Sequence, residues 1–74
     1  MPRLPRVTAK QMVSVLKQCG FAWARQSGSH AIYKNADGLR ATVPVHSGTM
    51  LHPKIVKTIL RDANISMSDF KKML

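Results

Sequence analysis

The chain has 74 residues, of which 12 are Lys or Arg and three are acidic, giving a formal net charge of +9 with the histidines neutral. That length supports one small core, burying about 60–65% of the unfolded surface, and excludes separate cofactor and substrate domains, a repeat array or a barrel. A hydrophobic fraction of 45% excludes a disordered basic tail, so the charge points to a folded module drawn to polyanions.

The three acids are all Asp (Asp37, Asp62 and Asp69), and there is no Glu. A single cysteine, Cys19, cannot form an internal disulfide, which favours a reducing, cytoplasmic setting. The run Phe21-Ala22-Trp23-Ala24 is far too short for a membrane span or a signal-peptide core, so no membrane partner is expected. One domain over residues 1–74 is expected, with residues 1–7 as an exposed lead-in stiffened by Pro2 and Pro5.

Thr8 is a good N-cap, and Met12, Val15, Leu16 and Cys19 recur at helical spacing before Gly20 stops a first helix of about three turns. Phe21 to Gln26 alternates large and small and reads as a strand with Phe21 and Trp23 in the core. Ser27-Gly28 is a turn. His30 to Lys34 is a second strand, closed by Asn35-Ala36-Asp37-Gly38 with its Asp-Gly hairpin signal. Leu39, Ala41, Val43 and Val45 alternate with Arg40, Thr42 and Pro44 in a third strand, where Pro44 must lie near an end or on an edge.

A loop from His46 to His52 precedes Pro53, well placed at the first position of a second helix. Its apolar stripe is Ile55, Val56, Ile59, Leu60 and Ala63, and Asn64 suits the left-handed terminating conformation. Ser66 with Asp69 resembles a capping box for a short last helix bearing Phe70 and Met73. The expected architecture is α+β: helix, three-stranded antiparallel sheet, helix, with a short C-terminal helix. Two helices on one face of a meander bury both apolar surfaces, and the order is that of a double-stranded-RNA-binding domain.

His30 stands out chemically. It follows a Gly-Ser turn at a strand start, where a side chain is held by the sheet yet open at the rim. RNA cleavage by its own 2′-hydroxyl needs a base, a proton donor for the departing 5′-oxygen, and positive charge around the phosphorane. Imidazole is the usual side chain for such proton transfers, worth about 10²–10⁴ in rate. The bland alternative is a surface histidine beside a turn. His46, at the end of the third strand, could approach His30 across a hairpin as an auxiliary acid or base, or simply cap the loop. His52 reads as a residue of the helix start.

No metal site and no cofactor is expected. Zinc wants three or four converging ligands, and two-metal phosphodiester chemistry needs carboxylate clusters that three scattered Asp do not supply. Lys54, Lys57 and Arg61 fall on one stripe of the second helix, where domains of this topology contact phosphates. Lys10 and Lys17 pair on the first helix, while Arg25, Lys34 and Arg40 decorate the sheet; an ordinary solvated face is the alternative for any one of them. Ser29 and Tyr33 could bond a phosphate or base, but Tyr33 is out of phase with His30.

Several stretches together resemble the HicA family of toxins from bacterial toxin–antitoxin pairs. They are Leu4-Pro5-Arg6-Val7, Leu16 to Phe21, Arg25-Gln26-Ser27-Gly28-Ser29-His30, Val43-Pro44-Val45-His46, and Ile59 to Ser66 leading to Phe70. The combination of Gly-Ser-His with a later Val-Pro-x-His, between two helices, is the specific part. The sequence departs from the family at Ser27, where Lys is frequent. Either one phosphate contact is absent, or Arg25 or Lys34 covers it.

The resemblance implies a small metal-independent endoribonuclease that cuts single-stranded or structured mRNA, with His30 as acid–base residue. Arg25, Ser29, Lys34, Arg40, Lys54, Lys57 and Arg61 are then the RNA-binding set, and a HicB-type antitoxin is the protein partner. The alternatives are a non-catalytic RNA-binding module and a domain that binds only an acidic protein.

Overall fold

The computed structural model describes residues 6–45 and 50–74. The elements are α1 (Ala9–Gln18), β1 (Ala22–Ser27), β2 (His30–Lys34), β3 (Arg40–Pro44), α2 (Pro53–Asp62) and α3 (Met67–Met73). The strands form one antiparallel sheet in the order β1-β2-β3. This is the α+β order read from the sequence.

The start of α1 is fixed twice over. The Thr8 hydroxyl accepts the Gln11 N–H at 3.2 Å, and the Gln11 side-chain oxygen accepts the Thr8 N–H at 2.8 Å. Two helix donors that would otherwise lack partners are thereby satisfied. Val7 and Met12 flank this box in the positions of a hydrophobic staple, and both are buried. Val7 therefore does not belong to an exposed lead-in. Its carbonyl accepts the Leu51 N–H at 2.8 Å, and Thr8 bridges to Met50, which ties the starts of α1 and α2 together.

Alternation along β2 and β3 sends Ala31, Tyr33, Ala41 and Val43 to one face, where they meet Met12, Val15 and Leu16 of α1 and Val56, Ile59 and Leu60 of α2. Phe70 of α3 is fully buried in the same core. Burial of a side chain that size contributes roughly 1.5–3 kcal/mol. Asn64 ends the α2 region with a φ of 56°, and Ser66 caps α3 by accepting the Asp69 N–H at 3.1 Å.

Three burial expectations fail. Trp23 is 56% exposed, because β1 is an edge strand that neither helix covers and all six of its residues are exposed. Ile55 is 38% exposed, at the margin of a stripe whose other members, Val56, Ile59, Leu60 and Ala63, are buried. Cys19 is only half-buried, packed against the core at the end of α1.

Candidate functional site

The β1–β2 connection has only two residues, Gly28 and Ser29, between the paired Ser27 and His30. Gly28 has a φ of 59°, and Ser29 is not in the positive-φ region. Positive φ at the first turn residue alone is the type II′ pattern, whose twist matches that of the flanking strands. The turn makes His30 the first residue of β2. Pairing with Ser27 on one side and Pro44 on the other holds its backbone in the middle strand. Its side chain is exposed.

Because Ala31 and Tyr33 face the helices, His30, Ile32 and Lys34 face the opposite, open side of the sheet. Cross-strand partners share a face, which adds Arg25 beside Ile32, Ser27 beside His30, and Arg40, Thr42 and Pro44 from β3. The open face thus carries His30 and three exposed cations, Arg25, Lys34 and Arg40, with no carboxylate in any strand. Ile32 and Thr42 were not singled out from the sequence. Ile32 is 7% exposed yet stands outside the helix-side core, lying in register between Arg25 and Thr42. The period-two pattern of β2 carried that signal.

The remaining predicted residues separate from this group. Lys54, Lys57 and Arg61 are all exposed, but they lie on α2, across the sheet from the open face. Lys54 is in the first turn of α2 and Arg61 in the last, about 10 Å farther along the axis. Ser29 is half-buried in the turn, and its carbonyl accepts the Val45 N–H at 2.6 Å. Tyr33 is buried on the helix side, consistent with being out of phase. His46 and the rest of residues 46–49 lie outside the described residues.

One end of the molecule gathers positive electrostatics. Val45 is bonded to the β1–β2 turn, and the chain reaches Met50, beside Thr8, only five residues later. The turn, the end of β3 and the N-termini of both long helices therefore share one end. Neither α1 nor α2 has an acid in its first turn, whereas Lys10 and Lys54 lie there. Cations at helix N-termini oppose the macrodipole and cost stability, but they leave an end that attracts anions. His52 caps α2 through Nδ1, which accepts the Lys54 N–H at 3.1 Å, so its proton in this arrangement is on Nε2.

Among the described residues no three His, Cys, Asp or Glu side chains lie close enough to hold a metal ion, and no helix is long and apolar enough to cross a membrane. No curated protein was found to match the chain. The family model described as HicA toxin of bacterial toxin-antitoxin matches residues 9–65, from the first residue of α1 through the turn after α2. That span contains the Gly28-Ser29-His30 turn, the open sheet face and the whole of α2. By fold and by that match, the chain belongs to the HicA family, the toxins of bacterial toxin–antitoxin pairs.

Proposed function

We propose that this toxin is a metal-independent endoribonuclease that cuts mRNA in the cytoplasm, with His30 moving the proton. In this reading the neutral imidazole of His30 takes the proton of a ribose 2′-hydroxyl. The 2′-oxygen attacks the adjacent phosphorus, the bond to the 5′-oxygen breaks, and that oxygen takes up a proton as it leaves. The products are a 2′,3′-cyclic phosphate and a free 5′-hydroxyl. His30 in its protonated form or His46 is the candidate donor for the leaving oxygen.

The observation that supports this most is the company His30 keeps. It is exposed at the rim of an acid-free sheet face carrying Arg25, Lys34 and Arg40, where cations stabilise charge that develops on the phosphorane. Lys54 and the helix N-termini add to the attraction at the same end, with Lys57, Arg61 and Ser29 as further backbone contacts. The neutralising partner we infer is a HicB-type antitoxin that covers the Gly28-Ser29-His30 rim.

The test is cleavage of RNA in EDTA by the purified toxin. Product with a cyclic phosphate end, and resistance of a substrate carrying a single 2′-deoxy residue at the cut site, are the expected results. Activity that vanishes in EDTA and returns with Mg²⁺ would overturn the mechanism. Tight RNA binding without any product, in wild type and His30→Ala alike, would leave a binding module instead.

A further inference from the structure

The end of the molecule opposite His30 holds a cleft of about 490 Å³, within the range of ligand sites. Its floor is apolar, made by buried Phe21 and by half-buried Leu39, Ile65 and Met73. Asp37, from the β2–β3 loop, and Asp69, from α3, line it as well. These are two of the three acids in a chain of net charge +9. The third, Asp62, lies 3.9 Å from Arg61 in the only ion pair among the described residues. Lys72 lines the same cleft without pairing to either carboxylate.

The cleft is therefore opposite in character to the rest of the surface. A cation is repelled by the open sheet face and by the exposed stripe of α2, and is attracted here. The combination of carboxylates with an apolar floor selects a ligand that is both cationic and apolar. The mouth is open to solvent, and its walls come from separate stretches of chain, so an extended segment can lie across it. Asn64, exposed at one wall, offers a side-chain donor and acceptor for a peptide backbone. Asp69 also acts on the interior: burial first, and the Asp69 charge second, push the Cys19 thiol above its ordinary range.

We propose that this cleft docks a peptide segment of a partner protein presenting an arginine or lysine beside a bulky aliphatic side chain. The aliphatic group covers Leu39, Ile65 and Met73, and the cation reaches Asp37 and Asp69. Docking here leaves the His30 end open, so the site is independent of the ribonuclease reading and survives if that reading fails.

The test is amide chemical-shift mapping of the full chain, titrated with the capped pentapeptide Ala-Leu-Arg-Leu-Ala and with its glutamate counterpart. The residues that shift show where the peptide binds. With the arginine peptide the expected result is saturable shifts in residues 35–39 and 64–73 and none around His30. With the glutamate peptide these cleft residues should not respond, any shifts falling on the basic surfaces instead. D37N/D69N should weaken the arginine peptide by about threefold or more, and D37N alone, in an exposed loop, serves if the double variant does not fold. Three outcomes would overturn the proposal. These are no cleft shifts up to roughly millimolar peptide, equal shifts of the cleft residues with both peptides, or the same shifts on raising protein concentration alone, which would make a second copy the occupant.

Discussion

His30 and Pro44 stand opposite each other across the β2–β3 pair, at the last register position of that ladder. Pro44 has no N–H to donate, and the next donor along the chain, Val45, bonds instead to the Ser29 carbonyl at 2.6 Å. The histidine backbone is thus held by its neighbours, while its side chain contributes nothing to the core. That separation allows its chemistry and its structural role to be tested apart.

His30→Ala should leave the melting temperature within a few degrees of wild type, as expected for an exposed side chain away from the core. Cleavage and growth inhibition on overexpression should fall by about 10²–10⁴. A folded variant as toxic as wild type would remove His30 from the mechanism and direct attention to His46.

The basic residues fall on two surfaces, and salt dependence distinguishes them. The slope of log affinity against log salt is about −0.7 per phosphate contact on single strands. Replacing Arg25, Lys34 and Arg40 by Ala should flatten the slope by roughly two units. Replacing Lys57 and Arg61, across the sheet and progressively farther from the shared end, should flatten it less for each charge removed. The reverse order, measured by binding at several salt concentrations, would place RNA along α2 and away from the open face.

Much of this arrangement was legible because local signals agreed. Thr8, Gly20, Pro53, Asn64 and Ser66 punctuate the helices by their own backbone chemistry, and β2 begins at His30 because a Gly-Ser pair precedes it. Val7 was misread because two prolines nearby suggested an exposed arm, although Val7, Thr8, Gln11 and Met12 together spell a capping box with its staple. Trp23 was misread for a different reason. Alternation shows that a strand has two faces, but only the placement of the helices decides whether either is covered. The division of the cations was partly legible, since two helices on one face of the sheet and Arg40 out of phase with Ala41 and Val43 already set the sheet cations apart from the α2 stripe.

His52→Ala should destabilise the protein by about 0.5–2 kcal/mol, because the Lys54 N–H loses its acceptor at the start of α2. His52→Asp should recover that loss and add to it, since a carboxylate both caps and favours the helix N-terminus. Chemical denaturation of the three proteins is the measurement. An alanine variant as stable as wild type would show that the imidazole bond is not a working cap.

Cys19 lies in a half-buried position beside Met73, with its sulfur 3.4 Å from the Met73 sulfur. Burial, and then the Asp69 charge, raise its thiol above the ordinary range. At mildly alkaline pH less thiolate is present in the folded protein than in the unfolded chain, so alkylation should be slower in the native state. The linkage has a definite sign. A raised thiol contributes stability below the unfolded value, and that contribution is lost as pH climbs through the folded value. Native alkylation as fast as that of the denatured chain would contradict both statements.

Phe70 fills the core from α3, beyond the stretch that matches the family. During translation the two long helices and the sheet are all synthesised before this ring. Until residue 70 has cleared the ribosome the growing chain lacks the largest of its fully buried side chains, and a domain with so small a core has little stability in reserve. A stable core therefore waits on α3, an element that the family-matched stretch does not include.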